Sequence, residues 1–237
     1  MAVGLAAIGK QLGLRIKVVI DDSILPINHF LLKSFGAEFI LTSDKDQNGS
    51  SLSARLKIVN DYLDSHKNVY WFDQYNNPLV CEAYANTLGK ELCDEIEGIN
   101  TVFVAVSSGG TISGISSILK ERNQNIKIIA VDIKGSKIFV PSSKDVKHFI
   151  GIGSSMISDN IKRAKYDDYV IVSEEESINA LNYLLTEEQI FAGISTGSVM
   201  AGFQKYIGCY NLKNTKSIII SHDNGERYFD FFVKTMN

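Results

Sequence analysis

Residues Ser107, Ser108, Gly109, Gly110 and Thr111 have the types and the spacing to hold a phosphate. The two glycines let the backbone approach an anion closely and adopt φ > 0. N–H groups of a loop that opens a helix point at such a ligand, and the helix dipole adds partial positive charge. Ser107, Ser108 and Thr111 add hydroxyl donors without net charge. The apolar run 101–106 before the loop reads as a buried strand, and 112–122 behind it reads as a helix. The same loop without a ligand is a tight strand-to-helix turn. It is not a nucleotide loop of either common kind: no Lys follows the second Gly, and there is no Gly-x-Gly-x-x-Gly.

The elements that must position this loop alternate along the chain. Short runs rich in Val, Ile and aromatics lie at 16–20, 38–41, 69–72, 101–106, 126–131, 169–172 and 217–220. Helical patterns lie between them at 28–35, 52–63, 80–96, 112–122, 177–189 and 199–207. Continuous apolar strands separated by helices predict an α/β fold, with mostly parallel sheets covered on both faces. Ligands in such sheets bind at the carboxyl ends of strands, where the loop 107–111 falls. Residues 1–12 read as a helix stopped by Gly13, with no strand before it. The long irregular stretch 134–160 reads as functional or mobile.

The chain has 237 residues, 45% apolar and 22% charged, with a formal net charge of −3. That predicts a globular protein with a real core. Nothing in it suggests a nucleic-acid or anionic-membrane partner. No apolar run is long enough to span a bilayer, and the N-terminus lacks the basic flank of a signal peptide. Three widely spaced cysteines, Cys81, Cys93 and Cys209, fit a reducing cytoplasm and neither a disulfide framework nor a zinc site.

Five segments, in order, resemble the fold type II pyridoxal-phosphate enzymes, the cysteine synthase family. They are Asp73-Gln74-Tyr75-Asn76-Asn77-Pro78, Ser107-Ser108-Gly109-Gly110-Thr111, Gly151-Ile152-Gly153, Gly193-Ile194-Ser195-Thr196-Gly197-Ser198 and Gly225-Glu226-Arg227-Tyr228. Within the family, Ala130-Val131-Asp132, Gly135-Ser136-Lys137-Ile138-Phe139 and Gly151-Ile152-Gly153-Ser154-Ser155 are similar to the siderophore-pathway branch. That branch joins O-phosphoserine to glutamate, giving N-(2-amino-2-carboxyethyl)-L-glutamate. The resemblance implies two α/β domains, a remainder of the smaller one at 1–70 and a larger cofactor-binding one at 71–237.

It also implies roles. Ser107, Ser108, Gly109, Gly110 and Thr111 would hold the phosphate of pyridoxal 5'-phosphate. Ser195 would hydrogen-bond the pyridine nitrogen and leave it unprotonated, which favours β-elimination over transamination; its spacing equally allows a helix N-cap. Gln74 would bind the substrate carboxylate, or be a solvated loop glutamine. Gly151 would belong to the substrate loop. Asp223 could meet a cation or, as expected here, cap the helix after Gly225, and Arg227 with Glu226 is expected to form an ion pair. The stretch 229–232 is expected to pack in the core or in a dimer. His148 and His222 are the histidines expected nearest the site, and neither has metal-ligand spacing.

The family's Schiff-base lysine and its Ser-Gly-Asn loop match nothing here, because Met1 aligns just after them. A truncated or split β-replacement synthase is therefore expected, inactive in isolation. The alternative is a non-catalytic protein of the same fold that binds phosphate, cofactor or a partner chain. The expected partners are an amino-acid substrate and a second copy of the chain, or an N-terminal chain that supplies the lysine.

Overall fold

The computed structural model describes residues 1–45, 50–143, 149–210 and 214–235. The chain divides into two compact units, Met1–Phe72 and Asp73–Asn237.

In the first unit, α1 (Ala2–Gln11) leads to β1 (Lys17–Asp21), α2 (Pro26–Ser34), β2 (Glu38–Thr42) and α3 (Leu52–Ser65). β1 and β2 pair in parallel with Val19 opposite Ile40. Gly13 ends α1 with φ +67°, the left-handed stop that glycine supplies cheaply. Gly9 is buried in α1 because a Cβ there would fall on the Ile16 side chain. Asp21 at the end of β1 accepts from the Ser23 amide at 2.9 Å and from the Ser51 hydroxyl, and it pairs with Arg55 at 3.2 Å. Leu12, Leu14, Phe30 and Leu41 stay exposed. The stretch 69–72 forms no strand, contrary to its composition. It runs from Asn68 (φ +61°) to Asp73 (φ +35°), and without a neighbouring ladder β-propensity alone does not make a strand.

The second unit carries α4 (Pro78–Tyr84), a π-helical turn (Ala85–Gly89), α5 (Lys90–Glu95), β3 (Ile99–Ala105), α6 (Gly110–Arg122) and β4 (Lys127–Ile133). Then come α7 (Asp159–Arg163), β5 (Asp168–Val172), α8 (Glu174–Thr186), α9 (Ile194–Cys209), β6 (Lys216–Ile219), a 3-10 turn (Gly225–Tyr228) and α10 (Phe229–Thr235). The four strands run parallel in the order β5-β4-β3-β6.

Alternation along β3 and β4 sends side chains to both faces. Val102, Val104, Ile128 and Ala130 join Ile112, Ile115 and Leu119 of α6 in one core. Phe103 meets Phe203 and Tyr206 of α9 edge-on, and Gly202 of α9 lets Val131 come close. A sheet covered on both faces explains why these strands read as unbroken apolar runs.

The expected single helix 80–96 is broken by the π turn. α4 crosses α6 so closely that a Cβ at Gly110 would fall on Val80, and one at Gly114 would lie 2.6 Å from Tyr84 Cβ. The ladder slips where the two helices touch. The described parts of 134–158 contain neither helix nor strand. His148 lies outside the described residues.

Candidate functional site

The order β5-β4-β3-β6 places a topological switch at β3. From β3 the chain crosses to β4 through α6, and β6 returns on the other side of β3 through α9. The crevice at the carboxyl ends of such neighbours is where α/β sheets bind ligands. The loop 107–111 follows β3, and Ser221, His222 and Asp223 follow β6.

The loop is shaped by Gly109, the N-cap of α6, with φ +87° and ψ −8°. A Cβ there would fall on the Ile161 amide nitrogen and lie 2.8 Å from the Asn160 carbonyl carbon. Gly109 is thus required twice, by its backbone angle and by the backbone of α7 against it. Ser158 ties the same contact down: its hydroxyl donates to the Ser108 carbonyl at 2.7 Å and accepts from the Ile161 amide at 3.1 Å. The amides of Ser108 through Ile112 find no acceptor among the described residues, and neither do the hydroxyls of Ser108 and Thr111. Free N–H groups at a helix N-terminus, with hydroxyls beside them, form an anion-binding concavity. The Ser107 hydroxyl differs, donating to the Gly153 carbonyl at 3.0 Å.

The strip 151–153 joins this loop to the start of α9. Gly153 donates its amide to the Val106 carbonyl at 2.7 Å. Two residues earlier, Gly151 (φ +85°) has Ser195 Cβ 4.0 Å and the Tyr228 hydroxyl 3.8 Å from where a Cβ would stand. Ser195 is buried in the first turn of α9, and no described residue hydrogen-bonds its hydroxyl. Gly193, not Ser195, is the N-cap of α9, so the N-cap alternative for Ser195 does not hold.

Asp223 does not cap the turn after Gly225; Asn224 occupies the N-cap, and no side chain caps that turn. Instead one Asp223 oxygen accepts from the Tyr228 hydroxyl at 2.7 Å. Burial, reinforced by this carboxylate, pushes the Tyr228 pKa up. The other Asp223 oxygen is buried without a hydrogen-bond partner, over the α-carbon of Gly193, where any side chain would displace it. The α-hydrogen of a glycine is a weak donor for such an oxygen. His222 has an exposed face, yet desolvation by the groups around it pushes its pKa down against the opposing pull of Asp223. Arg227 and Glu226 are exposed and form no ion pair with each other among the described residues. Of the stretch 229–232, Phe232 packs against Phe191 and Phe231, while Phe229 stays exposed.

Gln74 is half-buried in a loop held by the Asp73 carboxylate, which accepts from the amides of Tyr75 at 3.1 Å and Asn76 at 3.3 Å. Its side-chain amide is engaged by no described residue. Its backbone is tied to the loop 107–111 through Asn160, whose side chain donates to the Gln74 carbonyl at 3.1 Å and whose carbonyl carbon lies against Gly109. Sequence reading missed Asn160 and Ser158, of which only the glycine-rich stretch 151–155 nearby gave a hint; Tyr228 was quoted within a motif, with no role assigned to it. Among the described residues no group of three or more His, Cys, Asp or Glu could hold a metal ion, and no helix is long and apolar enough to cross a membrane.

Solved structures share this architecture. An O-acetylserine dependent cystathionine β-synthase from Helicobacter pylori superimposes with a TM-score of 0.86 at 23% identity, over 97% of this chain and 73% of that one. A hydrogen sulfide-producing enzyme from Fusobacterium nucleatum gives 0.85 at 25% identity, over 96% and 76%. Cysteine synthase from Entamoeba histolytica gives 0.87 at 24% identity, over 100% and 69%. Residues 1–223 match the family model described as pyridoxal-phosphate dependent enzyme, and the chain, with its donor-lined loop at the switch of a parallel sheet, belongs to that family.

Proposed function

We propose that the chain binds pyridoxal phosphate through Ser107, Ser108, Gly109, Gly110, Thr111 and Ser195 and presents it to an amino acid for replacement at the β-carbon. The observation that carries this reading is the set of unengaged donors: the amides of Ser108 through Ile112, and beyond the strip 151–153 the hydroxyl of Ser195, a residue only 4% exposed whose hydroxyl no described residue engages. The residues fit the group at both ends, with an anion cradle for the phosphate and a neutral donor for the ring nitrogen.

When bound, the cofactor supplies an electron sink for the substrate's α-carbon. The chain's own residues do the rest. The loop amides and hydroxyls hold the phosphate by hydrogen bonds in place of cationic side chains. Ser195 donates a hydrogen bond to the ring nitrogen without giving it a formal charge. That moderates the sink and favours loss of a β-substituent over transamination. Gln74 orients the substrate carboxylate, and Gly151 leaves room for substrate beside Ser195.

Residues 1–70 would belong to a smaller domain and 71–237 to the cofactor domain. The resemblance at 130–139 and 151–155 favours O-phosphoserine and glutamate as substrates. No lysine within residues 1–237 stands where the family carries its Schiff-base lysine, so this polypeptide alone is expected to bind without turnover. That same fact favours the second reading, a non-catalytic binding protein of the same fold. The exposed Leu12, Leu14, Phe30 and Leu41 favour self-association or an N-terminal partner chain, which sedimentation at several concentrations would reveal.

The test is a pyridoxal-phosphate titration followed by absorbance, then borohydride. Saturable binding that Ser195→Ala weakens and Gly109→Val abolishes, with no covalent adduct trapped, is the expected result. Failure to bind overturns the cofactor reading. Turnover of O-phosphoserine by the pure chain overturns the expectation of inactivity.

A further inference from the structure

Asn160 is fully buried, and every polar group it carries is used. Its amide donates to the Tyr75 carbonyl at 3.1 Å, and its side-chain Nδ2 donates to the Gln74 carbonyl at 3.1 Å. Its Oδ1 accepts from Arg163 at 2.8 Å and from the Cys81 thiol at 3.3 Å. Its own carbonyl accepts from the Ser113 hydroxyl in the first turn of α6. A guanidinium has only donors, so the atom facing Arg163 must be the oxygen, and the nitrogen is left for Gln74. Burial pushes the Cys81 thiol pKa up, which keeps it a donor.

The peptide that follows Asn160 is the one against which Gly109 is pressed. Asp159 and Arg163 complete the junction. The Asp159 amide donates to Asn76 Oδ1 at 3.1 Å, and Arg163 donates to the Asn76 carbonyl at 3.1 Å. One short helix therefore holds the phosphate-binding loop on one side and the Gln74 loop on the other.

We propose that Asn160 is a positioning residue, which sets the Gln74 loop on the phosphate-binding loop so that the substrate carboxylate is held in register with the bound phosphate. The role in substrate binding rests on the function proposed above; the mechanical link does not. Occupancy of the phosphate-binding loop and order in the Gln74 loop then rise together, because both lean on the 160–161 peptide.

The test is amide-resolved hydrogen exchange on the intact chain, with and without inorganic phosphate. Asn160→Asp keeps the acceptor for Arg163 and Cys81 but turns a carboxylate oxygen toward the Gln74 carbonyl. In that variant the amides of Tyr75, Asn76 and Asn77 are expected to exchange about tenfold faster, the loss expected from one hydrogen bond. Exchange in the interior of α6 should not change, and phosphate affinity should stay within about threefold of wild type by the same reasoning. Phosphate should slow loop exchange in the wild type and not in the variant.

Arg163→Ala supplies a second variant. Arg163 is exposed, so its removal leaves the core closed, and the same loop amides should quicken. Unchanged loop exchange in both variants overturns the inference. So does acceleration spread evenly over 73–237, which would mark Asn160 as a general structural residue. If phosphate does not bind the wild type, the reading of loop 107–111 falls, while the contrast between variants and wild type still decides the role of Asn160.

Discussion

Replacing Gly109 with alanine should damage the chain far more than the same change at Gly98. Both glycines adopt left-handed backbone angles, φ +87° and +69°. An L-residue there costs about 1–2 kcal/mol. At Gly98 a new Cβ meets nothing within 4 Å, so that backbone cost is the whole effect. At Gly109 the Cβ would fall on the Ile161 amide and lie 2.8 Å from both the Asn160 carbonyl carbon and Ile161 Cα. These are backbone atoms, so no rotamer change relieves the clash, and overpacking of this kind adds about 1–3 kcal/mol. The total for Gly109→Ala is then about 2–5 kcal/mol, a large part of the roughly 5–15 kcal/mol that holds a domain together. Urea unfolding of both variants, read at equal m-values, measures the difference. Phosphate affinity should fall in Gly109→Ala and remain unchanged in Gly98→Ala. Equal destabilisation of the two, within about 0.5 kcal/mol, would refute the claim that α7 presses on the loop.

Two further outcomes follow from particular contacts. The pKa of His222 in the folded chain lies below its ordinary value of 6.5, so the unfolded chain binds more protons as pH falls through that value. Stability should therefore drop from about pH 6.5 downward. A plot of urea midpoint against pH between 5 and 8 should be flatter for His222→Gln, and an unchanged slope would remove His222 as the cause. At the start of α8, Ser173 and Glu176 form a reciprocal cap: Ser173 Oγ accepts from the Glu176 amide at 3.0 Å, and Glu176 accepts from the Ser173 amide at 2.6 Å. Ser173→Ala should cost about 1 kcal/mol, seen as a lower thermal midpoint with phosphate binding retained.

Some of this protein was legible in its residues because the physics is local. The apolar runs around 101–106 and 126–131 form β3 and β4 because strands buried on both faces need unbroken apolar character. Gly13 and Gly109 punctuate the chain where the left-handed angles occur, since no other residue adopts them at so little cost. The order of short motifs likewise pointed to the pyridoxal-phosphate enzyme family, to which the chain belongs.

Other features were decided only by distant neighbours. The run 69–72 has strand composition and forms no strand, for lack of a neighbouring ladder. The helix expected at 80–96 slips into a π turn because α6 presses on it. Asp223 turns from the expected cap to the Tyr228 hydroxyl, a partner only the folded turn supplies. Asn160 reads as an ordinary loop residue, 86 positions from Gln74 and 47 from Ser113. Its role exists only once the parallel sheet has brought those segments together. Periodicity and turn chemistry act over a few residues, whereas a buried amide with all its groups engaged is specified by partners that sequence distance conceals.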